Sequence, residues 1–142
     1  MSDPDLIFFV KDRLSILHDR GHNAINRVYT RAYDEAGVFI KAAVCAGLDY
    51  ASENNVTNWI VDVSGQVDDM SDVDQEWESS EAFFDLFRAS SIRNILLVVS
   101  PPAPGKDLGG AKGWADGFAK SLGPAFKGSA SSNDNDTRAF FA

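Results

Sequence analysis

The sequence predicts an α/β domain in which a largely parallel sheet carries an antiparallel hairpin at one edge. Short apolar runs alternate with helical stretches of roughly 15 to 20 residues, which is the pattern of right-handed βαβ crossovers. Two runs near the N-terminus lie too close together for a crossover, so they predict a hairpin. The 142 residues are 44% hydrophobic, enough for one packed core, and we expect a single domain over residues 1–142.

The N-terminal third contains the hairpin and one ambiguous segment. Leu6–Val10 predicts the first strand, and the alternating apolar residues of Leu14–His18 predict its partner. Ala24–Tyr33 fits neither the strand period nor the helix period, so both remain open there. A helix is predicted over Asp34–Asn54, whose circumference is almost wholly apolar or small. Such a helix packs deeply or offers a second apolar face to another copy, which leaves a homodimer open.

The middle of the chain predicts two strands around a helix. Asn58–Val63 is a short β-branched strand. A helix is expected to begin near Ser71, because Ser71 and Asp74 fit the S-x-x-D capping box. Ile92–Ser100 is a continuous apolar run of the kind that is buried on both faces of a parallel sheet, and Pro101–Gly105 ends it.

The C-terminal part predicts helices without a further strand. Lys106–Gly128 is rich in glycine, which weakens its helix propensity, but three apolar residues recur at helical spacing. These residues are Trp114, Phe118 and Leu122. Ser129–Asp136 predicts a polar loop, and Thr137–Ala142 predicts the end of a short last helix.

Charge and cysteine content exclude several classes of function. Lys and Arg total 13 and Asp and Glu total 21, so the net charge is −8. An acidic chain is a poor partner for nucleic acid or an anionic membrane surface. The single cysteine, Cys45, excludes an internal disulfide framework and a multi-cysteine zinc site. No apolar run approaches the roughly 20 residues that span a bilayer, and the N-terminus lacks the basic start of a signal peptide. We therefore expect a cytoplasmic protein without an integral membrane segment.

One stretch of the chain is similar to a known family. Trp59–Gly65 (Trp-Ile-Val-Asp-Val-Ser-Gly) resembles the strand and turn of STAS domains, the family of anti-sigma factor antagonists. Ser71–Trp77 is similar to the SpoIIAA-like branch of that superfamily, and Ile92–Ser100 is similar to its next central strand. The resemblance implies a mixed four- to five-stranded sheet with parallel central strands and helices mainly on one face.

The resemblance also implies a phosphorylation candidate. In the antagonist branch a partner kinase phosphorylates a serine that follows the central strand, and Ser71 is the closest serine here. The usual D-S-S-G motif is absent, since residues 68–73 read Asp-Asp-Met-Ser-Asp-Val. A phosphate on Ser71 would gain from the helix dipole but meet neighbouring carboxylates. An ordinary N-cap is the alternative interpretation.

The acidic run around Ser71 is a candidate surface for a protein partner. It contains no Lys or Arg, and a solvated helix face is the alternative. The partner-binding candidates are Asp68, Asp69, Asp72 and Asp74. An EF-hand is excluded, because the sixth and twelfth positions counted from Asp72 hold Trp77 and Phe83. His18 and His22 lie at a strand end and a turn without an evident third ligand, so no metal site is expected.

The Gly-rich segment at residues 105–123 predicts a lid over an apolar pocket. Trp114, Phe118 and Trp77 are the pocket candidates, with simple core packing as the alternative. Nucleotide binding is disfavoured, because Gly105–Lys112 lacks the Gly-Lys-Ser/Thr of a phosphate loop. Cys45 is expected to be a small buried hydrophobe.

The sequence predicts function only as a class. The leading hypothesis is a non-enzymatic binding or regulatory module that acts through protein–protein interaction. The second is a carrier of a small hydrophobic ligand or lipid beneath the Gly-rich lid, and the third is an unrecognised enzyme. We assign no catalytic residue and no cofactor, because no hydrolase or metalloprotease motif is present.

Overall fold

The computed structural model describes residues 5–11, 14–29, 38–65, 72–101 and 110–142. Within these ranges the chain forms six strands and five helices. The strands are β1 Asp5–Val10, β2 Leu14–Asp19, β3 Ala24–Tyr29, β4 Asn58–Asp62, β5 Asn94–Val98 and β6 Lys127–Ser131. The helices are α1 Val38–Asn54, α2 Asp72–Glu78, α3 Glu81–Ala89, α4 Gly110–Leu122 and α5 Asp134–Phe141.

The six strands form one mixed sheet whose spatial order follows the sequence, β1-β2-β3-β4-β5-β6. β1, β2 and β3 are antiparallel neighbours, whereas β3, β4, β5 and β6 run parallel. Each parallel pair needs a crossover, and α1, the α2–α3 pair and α4 supply the three crossovers. The α/β class and the antiparallel hairpin at the edge of a mostly parallel sheet are therefore confirmed.

The strand count differs from the expected four to five, because β6 lies where the sequence predicted the polar loop Ser129–Asp136. β6 reads Lys-Gly-Ser-Ala-Ser and has no large apolar side chain. Helix α4 packs so closely on β6 that a Cβ at Gly128 would overlap the backbone carbonyl of Ala115. Only small residues fit under α4 at this distance, which removes the β-branched pattern that normally marks a strand.

The structure also decides one open alternative and divides one expected helix. The ambiguous segment Ala24–Tyr33 forms a strand over Ala24–Tyr29. The helix that was expected to begin near Ser71 is divided into two helices, α2 and α3. The division occurs at Ser80, which adopts an extended conformation and accepts a hydrogen bond from the backbone N–H of Phe83 at 3.3 Å. This is an N-cap, so a new helix begins after Ser80.

The core lies between the sheet and helices α1, α3 and α4, with Trp59 of β4 near its centre. Trp59 is fully buried, and its ring centroid lies 5.2 Å from that of Phe87 in α3. A Cβ on Gly47 of α1 would lie 2.9 Å from the Trp59 ring, so glycine lets the helix approach the sheet here. None of the described helices is both long and apolar enough to cross a membrane.

Candidate functional site

The two faces of the sheet are covered very differently. Side chains alternate along each strand, so Ile16, Ile25, Trp59 and Ile95 point to one face, which packs against α1 and α3. Gly128 of β6 points the same way and lies under α4. We call this the covered face, since it carries the hydrophobic core.

Helix α5 packs on the opposite face, where it contacts β5 and β6. The hydroxyls of Thr137 in α5 and Ser131 in β6 are buried and lie 2.7 Å apart. Ser131 lies in one cross-strand row with Val98, Asp62 and Val28, which fixes the side of the sheet on which α5 sits. On this side the β1–β3 half of the sheet carries four large apolar side chains, and we call this region the open face. Its apolar residues are Leu6, Phe9, Leu17 and Val28.

A β-bulge brings the two most exposed apolar residues of this region together. Leu6 pairs with Leu17 and Phe8 pairs with Ile16, so Ile7 is the extra residue in β1. The bulge shifts the alternation by one, and Leu6 and Phe9 therefore share the open face although they are three positions apart. Leu6 is 60% exposed and Phe9 is 57% exposed. Large apolar side chains with this exposure in adjacent positions are typical of an interaction surface.

An acidic groove borders the open face on the side of α5. It has a volume of about 310 Å³ and lies between the strands β3–β5 and the N-terminal end of α5. Three carboxylates line it, from Asp19, Asp62 and Asp134. The Asp62 Oδ1 atom accepts hydrogen bonds from the Ser64 N–H at 3.0 Å and the Ser64 hydroxyl at 2.6 Å. These bonds hold the Asp62 carboxylate at the carboxyl end of β4.

His22 ties the β2–β3 turn to α5 across one end of this groove. Its Nδ1 lies 2.7 Å from an Asp19 carboxylate oxygen, and its Nε2 lies 3.1 Å from a carboxylate oxygen of Asp134. The imidazole ring therefore lies between two carboxylates, one from β2 and one from α5. The backbone carbonyl of His22 accepts a hydrogen bond from the Asn58 side-chain amide at 3.3 Å. We call His22 with its partners Asp19 and Asp134 the His22 clamp. The clamp holds α5 against the sheet, and the β1–β3 region lies beyond it.

The groove also contains an acceptor without a partner. The Asn26 Oδ1 atom is buried and makes no hydrogen bond within the described part of the chain. Asn26 lies in one row with Leu17 of the open face and Ile60 of β4. A buried carbonyl oxygen without a donor costs free energy.

The covered face holds a buried ion pair outside the groove. Arg27 of β3 is 3% exposed, and its Nη1 donates to the Glu78 carboxylate of α2 at 2.9 Å. The guanidinium carbon lies 4.9 Å from the centroid of the Tyr29 ring. The Arg27 Nε and Nη2 atoms and the Tyr29 hydroxyl are buried without a partner among the described residues. This pair joins α2 to the sheet.

The three residues predicted to line an apolar pocket belong to one line of contacting rings, which Phe83 completes. The Trp77 and Phe83 centroids are 5.0 Å apart, Phe83 and Phe118 are 5.6 Å apart, and Phe118 and Trp114 are 5.4 Å apart. Phe118 is part-buried against the core, whereas Trp114 is 48% exposed. The cavities of about 700, 310 and 220 Å³ in the described part of the structure are lined by other residues.

A different cavity lies beside α4. It has a volume of about 700 Å³ and is bounded by α4, β6 and α5. The rings of Phe126 and Phe140 and the side chains of Lys120 and Lys127 line it. Lys120 forms an ion pair with Asp116 at 3.0 Å. Helix α4 belongs to the segment that the sequence predicted as a lid.

Half of the predicted acidic partner surface lies outside the described residues. Asp68, Asp69 and the phosphorylation candidate Ser71 all lie there. Asp72 and Asp74 are in α2, and Asp72 is exposed. These predictions therefore remain predictions.

Cys45 lies on the side of α1 that faces α3. It is part-exposed and borders a cavity of about 220 Å³ together with Leu86 and Ser90. Burial raises the pKa of the Cys45 thiol, and the nearby Asp49 carboxylate raises it further. A raised pKa keeps the thiol protonated and therefore unreactive. Among the described residues no group of three side chains is arranged to hold a metal ion.

Sequence reasoning missed the open face because the bulge hides it. A regular strand over Leu6–Val10 places Leu6 and Phe9 on opposite faces, which looks like an ordinary half-buried strand. The acidic groove was missed for another reason, since Asp19, Asp62 and Asp134 lie far apart in sequence. The sequence signal that was present is the polar side chains on this side of the sheet, Asn26 in β3 and Ser129 and Ser131 in β6.

Comparison with known proteins identified no similar protein. No protein-family model matches the chain, and searches of curated proteins and of solved structures found no match.

Proposed function

We propose that this protein is a non-enzymatic binding module with a regulatory role, which acts by docking another protein on its open face. The observation that carries the proposal is the exposure of Leu6 and Phe9 on the same side of β1, next to the part-buried Leu17 and Val28. Leaving large apolar side chains in water costs free energy that a partner recovers by covering them. The resemblance of Trp59–Gly65 to STAS domains supports the same class, because that family acts by binding.

The edge strand supports docking through side chains and not through backbone pairing. β1 is the outermost strand, so its outer backbone groups have no strand partner in this sheet. The bulge at Ile7 interrupts the regular spacing that a further strand would need. The side chains of the open face are therefore the contact surface that the geometry favours.

Site-specific photo-crosslinking in an extract of the native cells tests this function. Benzoylphenylalanine replaces Phe9 in one variant and Val73 in a control, because Val73 is also an exposed apolar residue, at 47%, but lies in α2. We expect a protein adduct from position 9 that is absent from position 73. Excess wild-type protein should suppress the adduct, whereas a competitor with Leu6→Ser and Phe9→Ser should not. Equal suppression by both competitors, or no adduct specific to position 9, contradicts the proposal.

A second candidate function is supported by the cavity of about 700 Å³ beside α4. Its volume lies within the range of small-molecule sites, and it combines two aromatic rings with two lysines. We propose as the alternative that the protein carries a small hydrophobic ligand there, and the lysines favour one with an acidic group. Native mass spectrometry tests it, since a carrier shows a mass above the 15.4 kDa chain that disappears on denaturation. A retained mass that persists in a Phe140→Ser variant contradicts this placement.

A further inference from the structure

The open face and the acidic groove together select one kind of partner. We propose that the open face binds a basic amphipathic helix of another protein, which lies on β1–β3 beside α5. This inference rests on the proposed function, and it adds the secondary structure and the charge of the partner.

The shape of the surface fits one helix. Neighbouring strands lie about 4.8 Å apart, so the three strands β1–β3 provide about 14 Å of width. An α-helix with its side chains is about 10 to 12 Å in diameter. Helix α5 already packs on β5 and β6 of the same side, so this side of the twisted sheet accepts a helix. A second helix would continue the layer that α5 begins.

The apolar residues of the open face are arranged for a helix with one apolar stripe. Leu6 and Leu17 are cross-strand partners. Leu17 also pairs with Asn26 of β3, and Val28 lies two residues further along β3. Phe9 lies in the same row as Val28, with Ser15 between them. The four side chains therefore form two adjacent rows about two strand residues apart, roughly 7 Å. This spacing is close to the 5.4 Å rise of one helical turn, so residues at i, i+3 and i+4 of a helix reach both rows.

The charge beside the open face selects a basic partner. Asp62 follows Val28 in its row, and Asp19 lies at the end of β2, so two carboxylates border the apolar rows on the side of α5. Asp134 adds a third carboxylate, which is 55% exposed and also pairs with His22 and with Arg138. Lysine or arginine side chains on one flank of a bound helix would reach the carboxylates of this groove.

The same charge disfavours a second copy of this chain as the occupant. Each copy has a net charge of −8, and a symmetric contact through the open faces would bring the two acidic grooves close to each other. Like charges across an interface suppress association. An acidic helix is disfavoured for the same reason. The partner helix therefore needs both an apolar stripe and a positively charged flank.

Two designed peptides test the inference on the full-length protein. Both carry the same leucine stripe at helical spacing, and the other positions are lysine in one peptide and glutamate in the other. Fluorescence anisotropy of each labelled peptide gives its Kd. We expect the lysine peptide to bind at least about tenfold more tightly than the glutamate peptide, and to weaken as the salt concentration rises from about 50 to about 300 mM.

Variants separate docking on the open face from general attraction between opposite charges. Leu6→Ser with Phe9→Ser should weaken binding of the lysine peptide at least about tenfold, and Asp62→Asn should reduce its salt dependence. Val73→Ser removes an apolar side chain that is exposed elsewhere, in α2, so it should leave the Kd unchanged. Equal binding of both peptides, or full binding of the lysine peptide to the Leu6→Ser, Phe9→Ser variant, overturns the inference.

The outcomes also separate this inference from the proposed function. If position 9 crosslinks a native protein but the lysine peptide does not bind, the open face is an interaction surface for a partner of other chemistry, and the inference is wrong. If sedimentation shows a dimer that Leu6→Ser with Phe9→Ser dissociates, the occupant is a second copy and the inference is again wrong. If neither crosslinking nor peptide binding depends on Leu6 and Phe9, both the proposed function and this inference are wrong.

Discussion

The backbone carbonyl of Ala115 in α4 lies directly over the α-carbon of Gly128 in β6, so no side chain fits between them. This contact fixes the distance between the last crossover helix and the last strand of the sheet. A methyl group added to Gly128 would force α4 away from β6. We expect Gly128→Ala to lower the free energy of unfolding by about 1 to 3 kcal/mol, the usual cost of overpacking.

The matched control is Gly117→Ala in α4, the helix that packs on Gly128. Nothing lies within 4 Å of the position that its Cβ would occupy. Alanine in the interior of an exposed helix surface stabilises by about 0.5 to 1 kcal/mol relative to glycine. Urea denaturation of both variants measures the two effects, and a Gly128→Ala variant as stable as the wild type would contradict the close packing.

The same contact explains why β6 could not be predicted. The strands β4 and β5 are rich in Ile, Leu and Val, so the apolar pattern indicated them and the parallel sheet at once. β6 has only Ala130 as an apolar side chain. Gly128 and Ala130 face α4, which leaves no room for larger side chains, whereas Ser129 and Ser131 point to the opposite face. Tertiary packing, and not local propensity, makes Lys127–Ser131 a strand, and a single sequence does not contain that information.

The candidate site was less predictable than the fold. The open face depends on one extra residue in β1, and a pattern of alternating residues cannot show where a bulge occurs. The acidic groove depends on three aspartates that only the sheet and α5 bring together. Trp77, Phe118 and Trp114, which the sequence predicted to line an apolar pocket, belong to one line of contacting rings that Phe83 completes. Their role in binding a ligand remains a prediction.

The ion pair of Arg27 and Glu78 gives a prediction about stability. Glu78→Gln removes the charge that compensates a guanidinium which is 97% buried, given its 3% exposure. Breaking a buried pair by removing one partner costs about 3 to 5 kcal/mol. We therefore expect a marked loss in the free energy of unfolding of Glu78→Gln, measured by urea denaturation.

Two further variants make the cause of that loss clear. Glu81→Gln breaks the exposed ion pair with Arg88 and should change stability little, because water already solvates both groups. Arg27→Met combined with Glu78→Met removes both buried charges and should recover much of the loss. If the double variant is no more stable than Glu78→Gln, an unpaired buried charge is not the reason for the loss.

The His22 clamp gives a prediction about the local stability of α5. His22→Ala removes the link between Asp19 and Asp134, so α5 should open more often while the core is unchanged. We expect faster hydrogen exchange at the backbone amides of residues 138–141 and no change in β4. His18→Ala is the control, since His18 bonds to Tyr50 of α1 on the covered face. Unchanged exchange in α5 of the His22→Ala variant would show that the clamp does not hold the helix.

Cys45 gives a prediction about the effect of pH. Burial, and then the Asp49 carboxylate, raise the pKa of its thiol, so the folded protein should be alkylated by iodoacetamide with a midpoint above that of the unfolded chain. A group whose pKa is higher in the folded state stabilises the fold below its unfolded pKa and loses that contribution as the pH rises through the folded value. Stability should therefore fall at alkaline pH by an amount that Cys45→Ala removes. Asp49→Asn should lower the alkylation midpoint only partly, because burial is the larger cause. A midpoint in the native protein equal to that in urea would show that the thiol is not desolvated.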